Sequence, residues 1–468
     1  MHGIQLHEQS YANYLADMTI IASKHSVRAP HPGPRVPVQT VSFATLGCKT
    51  NQFESAAMLE SLRHAGYQIV PFDEGAELVI VNTCTVTAAT DAQSRNLIRR
   101  ARKLNNACRV VVTGCYAQVD PGALHDLPGV SLVIGNEEKQ RLLDLLKNGH
   151  ISTHVEVSDI RQAETVCMQP LTSFAGRSRA FVQIQNGCDA FCSYCIIPYA
   201  RGASRSADPD EILRQVSGLV ESGYREIVLT GIHIGGYGTG LQSSLTLNEL
   251  VQRIEMKTRV HRLRLGSIEP TELTDELLDS VASSQVICPH FHIPLQSGDD
   301  DVLVRMGRDY DRDFFARLVL KIRAALPCAA ICLDVITGFP GETDRKFENT
   351  FDLIAGLPIT DLHVFPYSKR PGTPAAALPD QVSGSVSRER AARLRHLAAE
   401  KHRFFAENFF GQELEVVVEG GTKTGFLKGI SRNYLDIRFA GEPSLAGQCV
   451  MVKPGSWQDD ALFAELVT

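Results

Sequence analysis

The sequence predicts an α/β protein of three modules: an N-terminal open parallel α/β domain, an incomplete (α/β)6 barrel and a small C-terminal β-barrel. Three observations carry that expectation. Near-continuous apolar strands alternate with helices over residues 39–150, the pattern of a parallel sheet covered on both faces. Six further β/α units follow in residues 177–407, and short strands separated by turn residues fill 408–468. At roughly 100 to 200 residues per domain, a chain of 468 residues has room for about three cores.

Residues 1–38 read as a flexible extension, because Ala29-Pro30-His31-Pro32-Gly33-Pro34-Arg35-Val36-Pro37 fixes φ repeatedly and removes backbone donors. In the first domain, strands are expected at 41–45, 78–81, 110–113 and 132–134, with helices at 54–65 and 91–104. Residues 151–176 form an irregular linker. Barrel strands are expected at 181–184, 227–229, 263–265, 291–295, 331–336 and 363–365, with function at their C-terminal ends. A helix carrying Arg388, Arg390, Arg393, Arg395, Lys401 and Arg403 leads to Gly411, and the last strands fall at 413–418, 424–427, 434–439, 448–452 and 462–467.

Hydrophobic residues at 44% and charged residues at 21% are those of a globular protein, and exclude disorder or a collagen-like chain. Apolar runs fall short of the ~20 residues that a membrane helix needs. A cytoplasmic enzyme is therefore expected. The net charge of −6 provides no global attraction for nucleic acid, so an RNA partner must be met by local patches. Twelve cysteines in a chain without an export signal point to metal binding or catalysis rather than disulfides.

The strongest motif is Cys188-Asp189-Ala190-Phe191-Cys192-Ser193-Tyr194-Cys195, directly after the first barrel strand and Gly187. Three thiolates on one tight loop can hold three irons of a [4Fe–4S] cluster and leave the fourth iron open to a substrate. A structural zinc site is the plain alternative, but it normally closes with four ligands. Cys48, Cys84 and Cys115 each lie just beyond a strand of the first domain, in Gly47-Cys48-Lys49, Thr83-Cys84-Thr85 and Gly114-Cys115-Tyr116. Parallel strands end on one edge, so these thiols can converge on a second three-ligand cluster. Three separate buried cysteines are the alternative. Cys108, Cys167, Cys288, Cys328, Cys332 and Cys449 read as core or incidental thiols.

The Cys188, Cys192, Cys195 spacing resembles the signature of radical S-adenosylmethionine (SAM) enzymes. With the second trio, the N-terminal α/β domain and a C-terminal barrel like the RNA-binding TRAM module, residues 40–468 resemble the radical SAM methylthiotransferase family. The segments 45–55, 82–87 and 365–373 look most like the branch that acts on N6-threonylcarbamoyladenosine beside the tRNA anticodon. Other branches act on isopentenyl-adenosine in tRNA or on a ribosomal-protein aspartate. The resemblance implies two [4Fe–4S] clusters, SAM used both as methyl donor and radical source, an electron donor, a sulfur source, and methylthio transfer to C2 of the adenine. It also implies SAM contacts from Gly231, Ser267, Glu269, Gln296, Ser297, Asp334 and Gly338, all after or within barrel strands. A reading of another class is an iron–sulfur, RNA-binding redox sensor.

Smaller features are expected to be less committed. Gly235-Gly236-Tyr237-Gly238-Thr239-Gly240 reads as a flexible loop, and His233, His290, His292 and His363 as packing or polar contacts. Phosphate-facing surfaces are expected on the helix with Arg95, Arg99, Arg100, Arg102 and Lys103 and on the helix from Arg388 to Arg403. The last barrel has five Lys/Arg against eight Asp/Glu, so RNA contact there is expected to be narrow, through Lys423, Lys428, Arg432 and Tyr434. The loop Tyr199-Ala200-Arg201-Gly202-Ala203 carries fewer arginines than the family pattern.

Overall fold

A computed structural model describes residues 39–147 and 154–467 apart from 167, 169, 175, 244, 423, 424 and 459. The extension expected over residues 1–38, Cys167 and Lys423 lie outside the described residues. The chain divides into two compact units: the described residues up to Gly176 together with Ile196–Ala203, and Arg177–Cys195 together with Ser204 onward. Among the described residues, no helix is long and apolar enough to cross a membrane.

The first unit is built on a six-stranded, all-parallel sheet. Its strands are β1 (Thr40–Thr45), β2 (Gln68–Ile69), β3 (Leu78–Thr83), β4 (Arg109–Gly114), β5 (Val130–Ile134) and β6 (His154–Glu156), ordered β2-β1-β3-β4-β5-β6. Helices α1 (Lys49–His64), α2 (Ala88–Leu104), α3 (Cys115–Val119) and α4 (Leu142–Lys147) connect the strands. Alternate strand residues feed two cores. Val79, Val81, Val110 and Val112 meet Leu97 and Ile98 on one face, while Val41, Phe43, Ile80 and Val111 meet Met58, Leu62 and Leu145 on the other. Burial on both faces is why these strands read as unbroken apolar runs. A separate short helix, α5 (Ile197–Arg201), belongs to this unit although it follows the Cys188–Cys195 loop in sequence.

The second unit holds six parallel strands in two triplets. β7 (Arg179–Gln183), β8 (Glu226–Thr230) and β9 (Arg262–Arg264) form one, β10 (His290–Gln296), β11 (Ala330–Thr337) and β12 (Asp361–Pro366) the other. Bridges at Leu263–Ile287 and Ser267–His292 join them, so the six strands form the expected incomplete barrel. Around it run α6 (Pro209–Glu221), α7 (Leu247–Lys257), α8 (Asp275–Ser283), α9 (Asp300–Met306), α10 (Arg312–Ala325), α11 (Asp344–Gly356) and the 24-residue α12 (Gly384–Glu407). Side-chain caps start most of them, among them Asp208 on α6 and Thr246 with Glu249 on α7.

A closed five-stranded barrel completes this unit. β13 (Leu414–Gly421), β14 (Leu427–Ser431), β15 (Asp436–Phe439), β16 (Cys449–Gln458) and β17 (Ala461–Leu466) are ordered β13-β14-β15-β17-β16. Its core of Val416, Val418, Leu427, Ile437, Phe439 and Val452 also takes in Phe405 and Phe409 from α12 and its end. Closure leaves no free sheet edge.

Candidate functional site

In the first unit, the three cysteines stand on one sheet edge because β1, β3 and β4 are parallel neighbours. Cys48 sits directly before α1, Cys84 follows β3 directly, and Cys115 opens α3. Local chemistry holds the turns together. Asn51 donates to the carbonyls of Leu46 (2.7 Å) and Thr83 (3.0 Å), and Asn82 donates to the Asn51 carbonyl and the Ser55 hydroxyl. Gly47 has φ +96°, and a Cβ there would lie 2.9 Å from the Cys84 Cβ. Gly114, at φ +97°, would place one 2.3 Å from the Thr83 carbonyl oxygen. Burial and the neighbouring Cys115 and Cys48 push the Cys84 thiol up to about 12.

Arg201 is the residue of this edge that sequence reasoning missed. It is fully buried, and its Nε donates to Cys115 Sγ at 3.3 Å while its other nitrogens meet Glu54 and Asn51. Glu54 also pairs with Lys139. Burial alone would raise the Glu54 carboxyl, but Arg201 and Lys139 outweigh it and hold it down at about 2. Nothing in the sequence marks Arg201 apart from its neighbours, because only the packing of α5 in this unit places it.

In the second unit, the loop of Cys188, Cys192 and Cys195 follows β7 and is pinned at several points. Gly187 takes φ +77° and Phe191 φ +44°. The Ser193 amide donates to the Met306 carbonyl (2.8 Å), its hydroxyl donates to the Arg305 carbonyl (2.7 Å), and its own carbonyl accepts from the Ala375 amide (2.8 Å). Each of two sulfurs has a polar neighbour. Arg308 Nη1 donates to Cys192 Sγ at 3.1 Å and its other end pairs with Glu269. His233 Nδ1 lies 3.7 Å from Cys188 Sγ. Its Nε2 is 2.8 Å from Glu272, though not aligned for a hydrogen bond. The Cys188 sulfur and Glu272 together push the imidazole up to about 10.

A tetrahedral zinc with thiolates at 2.3 Å needs sulfurs about 3.8 Å apart. Among the described residues, the ligand atoms that draw within 4.8 Å of one another in threes are His261–Glu415–Cys449 and His292–Asp334–His363, and neither cysteine trio is among them. Three thiolates are the donor set of a [4Fe–4S] cluster that keeps one iron open.

The seven residues expected to touch SAM fall into two groups. Gly231 packs so closely that a Cβ would meet the Gln185 carbonyl at 2.9 Å, and Gln185 Oε1 accepts from the His233 amide at 2.7 Å. Glu269 pairs with Arg308 and is raised by burial despite it. Ser267 bridges to His292, and Gln296 sits at φ +64° at an irregularity of β10. These four stand at the rim or beside it. Asp334, by contrast, lies lower in the barrel and is held by two histidines. Ser297 is 1% exposed, its hydroxyl 3.3 Å from that of Thr350 on α11. Gly338 has φ +74° and presses on Ser387 of α12, where a Cβ would meet the Ser387 Cβ at 2.5 Å.

Other expectations also shift. The glycine loop after His233 is a packed turn, since Gly235 abuts Glu272 and Gly238 abuts the Leu245 carbonyl. Most basic residues of α12 are engaged within the protein. Arg390 is buried against Glu342 and Asp344, Arg393 pairs with Glu348, Arg403 pairs with Glu407, and Lys401 donates to the carbonyls of Ala355 and Leu357. Tyr434 packs on His290 rather than standing free for a base, and Lys428 pairs with Asp436.

Residues 182–354, which include Cys188, Cys192 and Cys195, match the model of the Radical SAM superfamily. A fold comparison agrees: a radical SAM methyltransferase, TsrM from Kitasatospora setae, superposes with a TM-score of 0.53 at 17% identity over 72% of this chain and 75% of its own. Fold and cysteine loop define the class as radical SAM. Residues 40–135 match the uncharacterized protein family UPF0004. The threonylcarbamoyladenosine tRNA methylthiotransferase MtaB of Bacillus subtilis (strain 168) is 41% identical over 428 residues, 88% of this chain and 93% of that protein. Its namesake in Thermotoga maritima is 37% identical, covering 86% and 92%. A tRNA-2-methylthio-N(6)-dimethylallyladenosine synthase of Moorella thermoacetica is 33% identical, covering 92% and 98%. The chain belongs to the family of radical SAM tRNA methylthiotransferases.

Proposed function

We propose that this protein transfers a methylthio group to C2 of N6-threonylcarbamoyladenosine beside the tRNA anticodon. The observation that carries the reading is identity of 37–41% over most of the chain to relatives named for that reaction, against 32–33% for those named for the dimethylallyl substrate. The cofactors are SAM and two [4Fe–4S] clusters, one held by Cys188, Cys192 and Cys195, the other by Cys48, Cys84 and Cys115. When bound, these groups supply the electron for SAM cleavage and the place where sulfur is carried.

The chain's own residues set the conditions around them. Gly187 and the pinned Ser193 fix the cysteine loop at the end of β7. Arg308 and His233 bring hydrogen-bonding and positive groups to Cys192 and Cys188, which balance charge gathered on sulfur. Arg201 does the same at Cys115. Gly231, Ser267, Glu269, Gln296, Ser297, Asp334 and Gly338 are the residues assigned to contact SAM. We assign residues 39–150 to the first domain, 151–176 to a linker, 177–407 to the radical SAM core and 408–468 to the TRAM-like barrel. We read the protein as cytoplasmic, with a low-potential electron donor and a sulfur source as further partners.

Nucleoside analysis tests the reading. tRNA from a strain lacking the gene should lack 2-methylthio-N6-threonylcarbamoyladenosine, and the gene should restore it. An unchanged nucleoside profile would reject the substrate.

A further inference from the structure

Within the second unit, the small C-terminal barrel meets the radical SAM core at the floor of the latter, the N-terminal ends of its strands. Arg262, the first residue of β9, donates to the Ile430 carbonyl (3.0 Å), and Arg264 donates to those of Ser431 (3.0 Å) and Arg432 (2.9 Å). Both arginines are fixed in turn by buried Glu226 at the start of β8. The Tyr434 ring, from the turn after β14, stacks on His290 of β10 at 4.2 Å. The start of β9 and the small barrel are thereby held side by side.

A mixed set of donor side chains lies on the same seam. β13 and β16 are antiparallel, with Glu415 opposite Met451 and Val417 opposite Cys449. Val416, Val418 and Val452 belong to the barrel core, so strand alternation puts Glu415, Val417 and Cys449 on the outer face. Val417 is nonetheless fully buried, which marks this stretch of the outer face as covered. His261, the residue before β9, reaches it: its Nε2 lies 2.7 Å from Glu415 Oε2. One ligand atom each from His261, Glu415 and Cys449 lies within 4.8 Å of the other two. The other carboxylate oxygen, Glu415 Oε1, is buried without an aligned donor, with Arg432 Nη1 3.5 Å and Arg262 Nη1 3.8 Å away. The His261 side chain keeps 46% of its surface exposed, so water reaches the group.

We propose that His261, Glu415 and Cys449 bind a single zinc ion that ties the small barrel to the radical SAM core. Neither cysteine trio takes part, and the site is independent of the target nucleoside. Imidazole, carboxylate and thiolate are all zinc donors, and the nitrogen and sulfur among them select zinc over calcium or magnesium. A tetrahedral ion with bonds of about 2.0–2.3 Å needs donors roughly 3.4–3.6 Å apart. The His261–Glu415 contact therefore opens by roughly 0.7 Å, which the half-exposed imidazole accommodates by rotation. Water takes the fourth position. Cys449 gives its thiol proton to solvent on binding, and the resulting thiolate and the Glu415 carboxylate together match the charge of the ion, so Arg262 and Arg432 meet no added net charge. Because the ligands come from two modules, binding adds its free energy to the stability of the docked pair.

The experiment uses the full-length protein with its clusters reconstituted anaerobically, incubated with zinc chloride and then dialysed. Wild type should retain about one zinc per chain by elemental analysis, and X-ray absorption at the zinc edge should show one sulfur at about 2.3 Å among nitrogen and oxygen neighbours. His261→Ala and Cys449→Ala should each lower retained zinc to near zero with iron content unchanged. Zinc should also raise the thermal midpoint of wild type and leave those of both variants where they are. A zinc shell of three sulfurs would overturn the proposal, because it would put the ion in a cysteine trio. So would wild type that retains no zinc, or variants that retain as much as wild type. Should Cys449→Ala not fold, Cys449→Ser and the surface variant His261→Gln carry the same zinc measurement.

Discussion

Gly114 shows how a single residue decides where a sulfur sits. It turns the chain from β4 into Cys115 at φ +97°, and the Thr83 carbonyl occupies the space that a side chain would need. Gly114→Ala should therefore cost more than the roughly 1–3 kcal/mol of backbone strain alone and should displace Cys115. Gly66 makes the matched control: at φ +91° it has nothing within 4 Å of a built Cβ, so Gly66→Ala should cost strain only. Urea unfolding of the two variants checks the difference. The thiols themselves separate by role. Cys192→Ala should abolish formation of 5′-deoxyadenosine, whereas Cys84→Ala should retain some of it and lose methylthio product, as assayed by chromatography of both. Full thiolation by the Cys84 variant would refute a second cluster.

Elements were legible in the chain to the degree that their signal is local. β1, β3, β4 and β5 are runs such as Val79-Ile80-Val81 and Val110-Val111-Val112, so both their type and their burial follow from composition. The cysteine loop was legible for the same reason, its three cysteines being seven residues apart at most. Less was visible where two elements decide together. The glycines after His233 look mobile in isolation, yet Glu272 and Leu245 pack on them. The arginines of α12 look like a phosphate face until Glu342, Asp344 and Glu348 are set against them. tRNA binding should accordingly be little changed, within about twofold, by Arg393→Ala or Arg403→Ala, because each exposed pair contributes little to any long-range field. Filter binding at fixed salt reads this, and a loss of tenfold or more would restore α12 as the RNA face.

At the scale of the second unit, the floor of the barrel couples the radical SAM core to the C-terminal barrel. Glu226 is fully buried among Arg264, Arg262 and Arg179, with Arg262 and Arg264 each 2.7 Å away. Burial would raise its carboxyl, but the three arginines hold it at about 2. A carboxyl lowered by folding contributes stability above its unfolded value of 4.5, and that contribution is lost as pH falls from there toward 2. Glu226→Gln should lose about 3–5 kcal/mol near neutrality, because it leaves buried guanidinium groups uncompensated. It should also lose less than wild type on acidification from pH 5 to pH 3. Thermal midpoints across that range compare the two directly, and equal slopes would contradict the assignment.

The order of modules, the parallel sheets and the Cys188, Cys192, Cys195 loop were written in residue type and spacing, since apolar periodicity and short motif intervals act over a few positions, whereas Cys48, Cys84 and Cys115 were marked only by their places after strands. Arg201 beside Cys115, Arg308 beside Cys192, Tyr434 beneath the barrel and the His292–Asp334–His363 layer appear only once the chain is folded. Each joins residues dozens to more than a hundred positions apart, and a buried charge or a shared proton acceptor depends on which groups desolvate one another. Local sequence carries no record of that partner choice, because it is packing that removes the water and brings the charges within reach.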